Sequence, residues 1–262
     1  MKLSKDEMLD FLEEKSFLYN NKTFIEKDPV SIPHLFDKKE DIEIIAFLTA
    51  TISWGQRVSI IKSATELMEM MDNSPHSFIL SASDKDLKVF KRFIYRTFNG
   101  DDCLFFIKTL RHIYIRYGGI EELFISAYNK EDENLISGIM NFRRAFFELP
   151  HQSRIEKHFS NPINNSSAKR LNMFLRWMIR KDKNGVDFGI WKNFKSDKLL
   201  IPLDVHSGRV ARELGLLTRK QNDLKAVIEL TNKLKEFDPT DPVKYDFALF
   251  GLGVNEGFGG IY

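Results

Sequence analysis

A chain of 262 residues, 43% of them apolar and 29% charged, can bury a sizeable core and has the composition of a folded globular protein rather than a disordered one. Its single cysteine, Cys103, excludes an internal disulfide and any four-cysteine zinc or iron–sulfur site. No apolar run approaches the roughly 20 residues of a membrane span, and Met1–Glu7 lacks the apolar core of a signal peptide, so the expectation is a cytoplasmic protein without membrane contact. The net charge of +2 hides an asymmetry: residues 140–220 hold 17 Lys and Arg against 7 Asp and Glu, the remainder 22 against 30. A basic segment in an otherwise acidic chain is the footprint left by a phosphate backbone, although solvated basic helix faces produce it too.

Helical periodicity dominates from end to end and strand signals are nearly absent, which predicts an all-α fold of about twelve helices. Met8, Phe11, Leu12 and Leu18 mark a first amphipathic helix, and Asp28–Pro33 reads as a connector. From Asp41 a run of Ile42, Ile44, Ile45, Phe47, Leu48 and Ala50 predicts a helix buried on most sides, ending in Thr51, Ser53, Trp54, Gly55 and Gln56. Val58–Met71 is a further helix with methionines as core filler, and the phenylalanine-rich stretches between Phe78 and Leu149 read as core rather than a base-stacking platform. Asn161–Ser167 predicts a tight turn leading into a helix in which Leu171, Phe174, Leu175, Met178 and Ile179 form one apolar stripe. Lys169, Arg176 and Arg180 fall together on its other side, with Lys169 in the first turn.

After a polar insertion and the short apolar piece Val186–Trp191, the run Leu199–Leu203 delivers the chain to Asp204, where a helix signal begins. Asp204 therefore stands at an N-cap, where a side-chain oxygen accepts hydrogen bonds from free backbone N–H groups at the positive end of the helix dipole. It is either a cap and nothing more or a carboxylate held at the mouth of a cleft. Further helices are predicted from Thr218, through Ala226, Val227, Leu230 and Leu234, and from Val243 to Gly253.

The stretch Asp204-Val-His-Ser-Gly-Arg-Val-Ala-Arg-Glu-Leu-Gly215 resembles the Asp-x-His-x-x-Arg-Val-x-x-Arg-Leu-Gly segment of the helix-hairpin-helix DNA glycosylases, the superfamily of endonuclease III and the 8-oxoguanine glycosylases. Phe47–Ser53 is similar to that family's early helix end facing the extrahelical base, and Tyr245–Gly253 to its closing helix. Lys169–Met178, Val186–Trp191 and Pro242–Gly253 together resemble a bacterial branch of the superfamily without an assigned activity. The resemblance implies a two-lobed fold: a central lobe over residues 40–198, with a hairpin-like turn near 161–167, and a second lobe from 1–39 plus 199–262. It also implies a base-excision repair enzyme acting on a damaged base such as 8-oxoguanine, with or without lyase activity. The family's glycine-rich hairpin is here Asn161-Pro-Ile-Asn-Asn-Ser-Ser167, its early glutamine is Thr51 or Gln56, and 35 residues separate the lysine from the aspartate, more than is usual there.

By that resemblance Lys169 corresponds to the lysine that attacks the sugar C1′, and Asp204 to the aspartate that assists. Breaking an N-glycosidic bond passes through an oxocarbenium-like sugar that an anion stabilises, and an amine nucleophile must be freed of its proton. The flipped base needs stacking and hydrogen-bonding walls, for which the candidates are Thr51, Trp54, Gln56, Trp191, Asp246 and Phe247. Backbone phosphates would meet Ser166, Ser167, Arg170, Arg209 and Arg212. His206 reads as a packing or supporting residue, since no metal-ligand partner stands at suitable spacing. No metal and no cofactor are expected; the expected partner is DNA and the expected state a monomer. The alternative is a non-catalytic DNA- or nucleic-acid-binding protein that keeps the fold, and a third reading is a purely structural helical scaffold.

Overall fold

The computed structural model describes residues 3–258. Thirteen α-helices form among them: α1 Lys5–Tyr19, α2 Lys22–Glu26, α3 Lys39–Ile52, α4 Arg57–Glu69, α5 Pro75–Ser81, α6 Asp84–Leu87, α7 Gly100–Tyr117, α8 Ile120–Ala127, α9 Ile136–Phe146, α10 Lys169–Ile179, α11 Val205–Glu213, α12 Leu224–Lys235 and α13 Tyr245–Asn255. Short 3-10 turns link them, and extended pairing among the described residues is limited to two isolated bridges, Tyr95 with Phe98 and Ser166 with Asp223. The fold is all-α. No described helix is long and apolar enough to cross a membrane.

Two compact units divide the chain. One, the terminal unit, takes the N-terminal segment through Phe24, Glu133–Leu135 and everything from Asn161; the other, the central unit, takes Ile25–Asp132 and Ile136–Ser160. This differs from the expected lobes of 40–198 and 1–39 plus 199–262. Residues 161–198 join the C-terminal helices because α10 carries two buried arginines, Arg176 and Arg180, whose partners Asp246 and Asp241 come later in the chain. A buried guanidinium needs carboxylates around it, and these are supplied across 61 to 70 residues of sequence.

In the central unit, α3 is buried from Asp41 to Ile52, as its largely apolar run predicts. Phe47 at its centre sits 5.3–6.1 Å from the rings of Phe106, Phe142, Phe146 and Phe159, so the phenylalanines are core. Asp102, fully buried, receives Arg154, His158 and the backbone N–H of Asn99, and so ties the first turn of α7 to the segment after α9.

In the terminal unit, α13 is the spine. Gly251 lets α1 approach so closely that an added Cβ would stand 2.1 Å from the ring of Tyr19, and Gly253 lets α11 lie against it with His206 Cβ at 3.1 Å from the same imagined atom. Helix α12 begins at Leu224 rather than at Thr218, because Asp223 is the residue whose side chain caps it, accepting from Ala226 N.

Candidate active site

Asp204 opens α11 with a capping box: its Oδ1 accepts from the backbone N–H of His206 at 2.8 Å and of Ser207 at 2.9 Å, while Ser207 Oγ accepts from Asp204 N–H at 3.0 Å. Ser207 Oγ–H also reaches Oδ1 at 3.2 Å. The peptide carbonyl of Asp204 is held as well, by Asn222 Nδ2 at 2.9 Å, and Arg212 steadies that asparagine at 2.6 Å. Every hydrogen bond to the carboxylate from the described residues therefore falls on Oδ1. The second oxygen, Oδ2, faces Lys169 Nζ at 3.8 Å.

Lys169 is the first residue of α10, and the loop before it decides where that helix starts. Asn161 caps the 3-10 turn Pro162–Asn164, Asn165 turns left-handed at φ 60°, and Ala168 does so again at φ 47° immediately before the helix. Asn165 is anchored on α12: its Nδ2 donates to Asp223 Oδ2 at 2.9 Å, and its carbonyl accepts from Leu224 N–H at 3.1 Å. No side chain caps α10. The amine of Lys169 and the carboxylate of Asp204 remain partly exposed, with side-chain exposures of 29% and 21%. The two helix starts thus bring a lysine and an aspartate together at the surface of one unit.

Behind them lies a buried ion network. Arg176 bridges Asp187, at 3.1 Å, and Asp246, while its guanidinium stacks over Phe247 at 4.4 Å from the ring centroid. Arg180 reaches Asp187 at 3.0 Å, Asp182 at 2.6 Å and Asp241 at 2.9 Å. Asp246 is the unusual member. Burial pushes its carboxyl up to about 6; Arg176 and Lys169 oppose the shift, and Asp204 and Asp187 add to it. Burial also opposes the charge of Arg180, but its three aspartates more than offset this and raise its pKa.

A family profile described as a protein of unknown function (DUF2400) matches residues 28–255. The chain belongs to this family. Lys169, Asp204 and Asp246 all lie within the matched span. No curated protein and no solved structure matches the chain.

Several expected site residues take other roles. Trp191 is buried at 1% exposure, edge-on to Phe174 at 5.6 Å, and Phe247 is buried at 1% beneath two arginines, so both are core instead of pocket wall. Arg176 and Arg180, expected opposite the apolar stripe of this helix, are enclosed, with Asp187, Asp241 and Asp246 neutralising them. Arg212, half-buried, braces the loop before α12, donating to the carbonyl of Arg219 at 2.8 Å and to Asn222. Arg170 is half-buried, and desolvation brings its guanidinium down to about 10. Arg209 is half-buried with its Nε enclosed. Ser166 Oγ accepts from Ala168 N–H at 3.2 Å, and the carbonyl of Ser167 accepts from Asn172 at 3.0 Å, so both shape the loop before α10.

Thr51, Trp54 and Gln56 belong to the central unit. Thr51 is buried, Gln56 exposed, and Trp54 half-exposed with its carbonyl accepting from Tyr95 Oη at 2.5 Å and its ring stacked on His158 at 6.1 Å. Ser207 and Asn222, which fix Asp204, were not singled out from sequence. The Asp-x-x-Ser spacing was a visible capping signal for Ser207, whereas Asn222 lies 18 residues on, beyond any local pattern. Among the described residues, no group of three or more His, Cys, Asp or Glu could hold a metal ion.

Proposed function

We propose that this protein is a DNA glycosylase with abasic-site lyase activity, acting on a damaged base such as 8-oxoguanine in base-excision repair. The observation that carries the reading is the 3.8 Å approach of Lys169 Nζ to Asp204 Oδ2, each residue standing at the start of a different helix. The Asp204 motif resembles that of the helix-hairpin-helix glycosylases. The loop before α10 lacks that family's hairpin glycines, and its left-handed positions are Asn165 and Ala168.

In this mechanism Asp204 is fixed by its three hydrogen bonds, with Oδ2 turned toward the sugar. The lone pair of Lys169 Nζ forms a bond to C1′ as the glycosidic bond breaks and its electron pair leaves with the base, which is protonated. Asp204 stabilises the positive charge that builds on C1′ and the ring oxygen at the transition state. The C1′–O4′ bond then opens, O4′ takes a proton from the nitrogen, and an iminium links Lys169 to the sugar. A partly exposed pair in this geometry offers both groups to a substrate at once, which a purely capping aspartate would not require.

The test is borohydride trapping on duplex oligonucleotides bearing 8-oxoguanine, uracil or an abasic site. The wild type is expected to form a covalent adduct with at least one of them, and Lys169→Ala none. No adduct from the wild type, or an undiminished one from Lys169→Ala, overturns the lyase reading. Base release left unchanged by Asp204→Asn reduces Asp204 to a cap, and salt-dependent DNA binding without any chemistry would favour a binding protein.

A further inference from the structure

The central unit carries a run of cations of a different kind. Residues 88–96, Lys-Val-Phe-Lys-Arg-Phe-Ile-Tyr-Arg, hold four cations and no acid. They fold as the 3-10 turn Lys88–Arg92 after α6, followed by a tight reversal in which Tyr95 and Phe98 exchange backbone hydrogen bonds at 2.8 and 2.9 Å. Leu87, Phe90, Phe93, Tyr95 and Phe98 are buried, and Lys88, Lys91, Arg92, Ile94 and Arg96 are exposed. We propose that this strip is a docking surface for the sugar–phosphate backbone of duplex DNA, gripped without regard to sequence. The inference rests on the DNA partner of the reading above and not on its chemistry, and it gives the central unit a contact of its own.

The charges are unspent. None of the four cations forms an ion pair with a described residue, whereas Arg143 and Arg154 of the same unit are bound to Glu156 and Asp102. Asp86 caps α6 through Ser83, and the exposed acids on either side, Asp84 and Asp101, pair with none of the four. Residues three apart eclipse in a 3-10 helix, so Lys88 and Lys91 stand in one row about 6 Å apart along the axis, with Arg92 beside them. Like charges so placed repel, and an anion from outside relieves them.

The strip is also held in place. The Lys91 carbonyl lies so close to Gly100, at the start of α7, that no Cβ fits there. Tyr95 Oη donates to the Trp54 carbonyl at 2.5 Å, and the Arg96 guanidinium lies over Gly55. Backbone fixed in this way loses little freedom when a ligand binds.

The kind of partner follows from what the strip lacks. Its apolar side is committed to the core and Ile94 is its only exposed large apolar side chain, so it has no face to lay into a bilayer as an interfacial amphipathic helix does. Its aromatic rings are buried and cannot stack on the bases of a single strand. What it offers is positive charge on a rigid mount, which suits a phosphate backbone and carries no sequence information.

Fluorescence anisotropy on an undamaged duplex, repeated from about 50 to about 200 mM salt, tests this. A variant combining Lys88→Gln, Lys91→Gln and Arg92→Gln should flatten the slope of log K against log salt by about 2 to 3, at about 0.9 per phosphate contact. Binding at the lowest salt should weaken by on the order of 100-fold. A matched variant with Lys38, Lys108 and Lys130 replaced by Gln removes the same charge from other exposed positions of the central unit, and should keep the wild-type slope within about 1. Equal flattening by the two variants, or none by the first, overturns the strip while leaving borohydride trapping by Lys169 untouched. A wild type that binds no duplex overturns the strip and the DNA partner together. Retention of the wild type on phosphatidylserine vesicles but not on the duplex makes the strip a membrane contact and equally refutes the proposal. Should the triple variant not fold, the wild type still decides the matter: acetylation of Lys88 and Lys91 by an amine-reactive reagent, read by mass spectrometry, should slow when duplex is added, and unchanged labelling at both counts against the strip.

Discussion

At Asp246, folding and protonation are coupled. An ordinary aspartate titrates near 3.8, and burial in the folded protein pushes this one to about 6. Between those values the folded state holds more protons than the unfolded chain, so stability falls as pH rises from about 4 to about 6. The sign is opposite to that of a carboxylate stabilised by a salt bridge, even though Arg176 is bound to this one, because desolvation outweighs the arginine. A shift of that size corresponds to about 3 kcal/mol at 1.36 kcal/mol per unit. Asp246→Asn keeps an acceptor for Arg176 and cannot ionise, so the stability of the variant minus that of wild type should move in the variant's favour by about 2 kcal/mol between pH 4 and pH 7. Taking that difference cancels every other titrating group. Denaturant melts at the two pH values measure it, and a difference that stays constant would mean that Asp246 is not perturbed.

Helices were legible where their causes are local. Asp204 as an N-cap, the start of α10 near Lys169 and the buried run of α3 all follow from spacing within a few residues, and each forms as read. What lies opposite an element was not legible: periodicity places Arg176 and Arg180 on the far side of α10 but is silent on whether water or carboxylate awaits them there. The same limit applies to α13, whose Gly251 and Gly253 look alike in the chain. An added methyl at Gly251 would stand 2.1–2.5 Å from three ring atoms of Tyr19, whereas one at Gly253 meets His206 and Val210 at 3.1–3.3 Å. Gly251→Ala must push α1 away or turn the tyrosine, at a cost of about 1–3 kcal/mol. Gly253→Ala should cost less. Thermal melts of the two variants rank the contacts, and equal losses would show that the α1 seam yields as easily as the α11 one.

Charge belongs to the whole molecule, and here the three-dimensional arrangement reassigns it. The basic excess of residues 140–220 suggested a surface meeting phosphates, but Arg143, Arg154, Arg176, Arg180, Arg212 and Arg219 all bond to carboxylates or carbonyls of the chain itself. The division into units was hidden for the same reason: the pairings that hold 161–198 to the C-terminal helices span distances that no sequence window covers. Within the terminal unit, the exposed cations of this segment are instead lysines, Lys181, Lys183, Lys192 and Lys195 on the loop between α10 and α11, with Lys220 beyond. On the DNA reading, these carry the electrostatic part of binding. Each phosphate neutralised contributes about −0.9 to the slope of log K against log salt for duplex DNA. Replacing Lys181, Lys183, Lys192 and Lys195 together by Gln should therefore flatten that slope by about 2 to 4 and leave the melting temperature nearly unchanged. Arg212→Gln should do the reverse, lowering stability through the lost brace on Asn222 and leaving the slope where it was. Binding isotherms on an undamaged duplex across a salt series distinguish the two. If the slope follows Arg212 and ignores the four lysines, the phosphate track runs along α11 after all, and the basic loop is only a solvated surface.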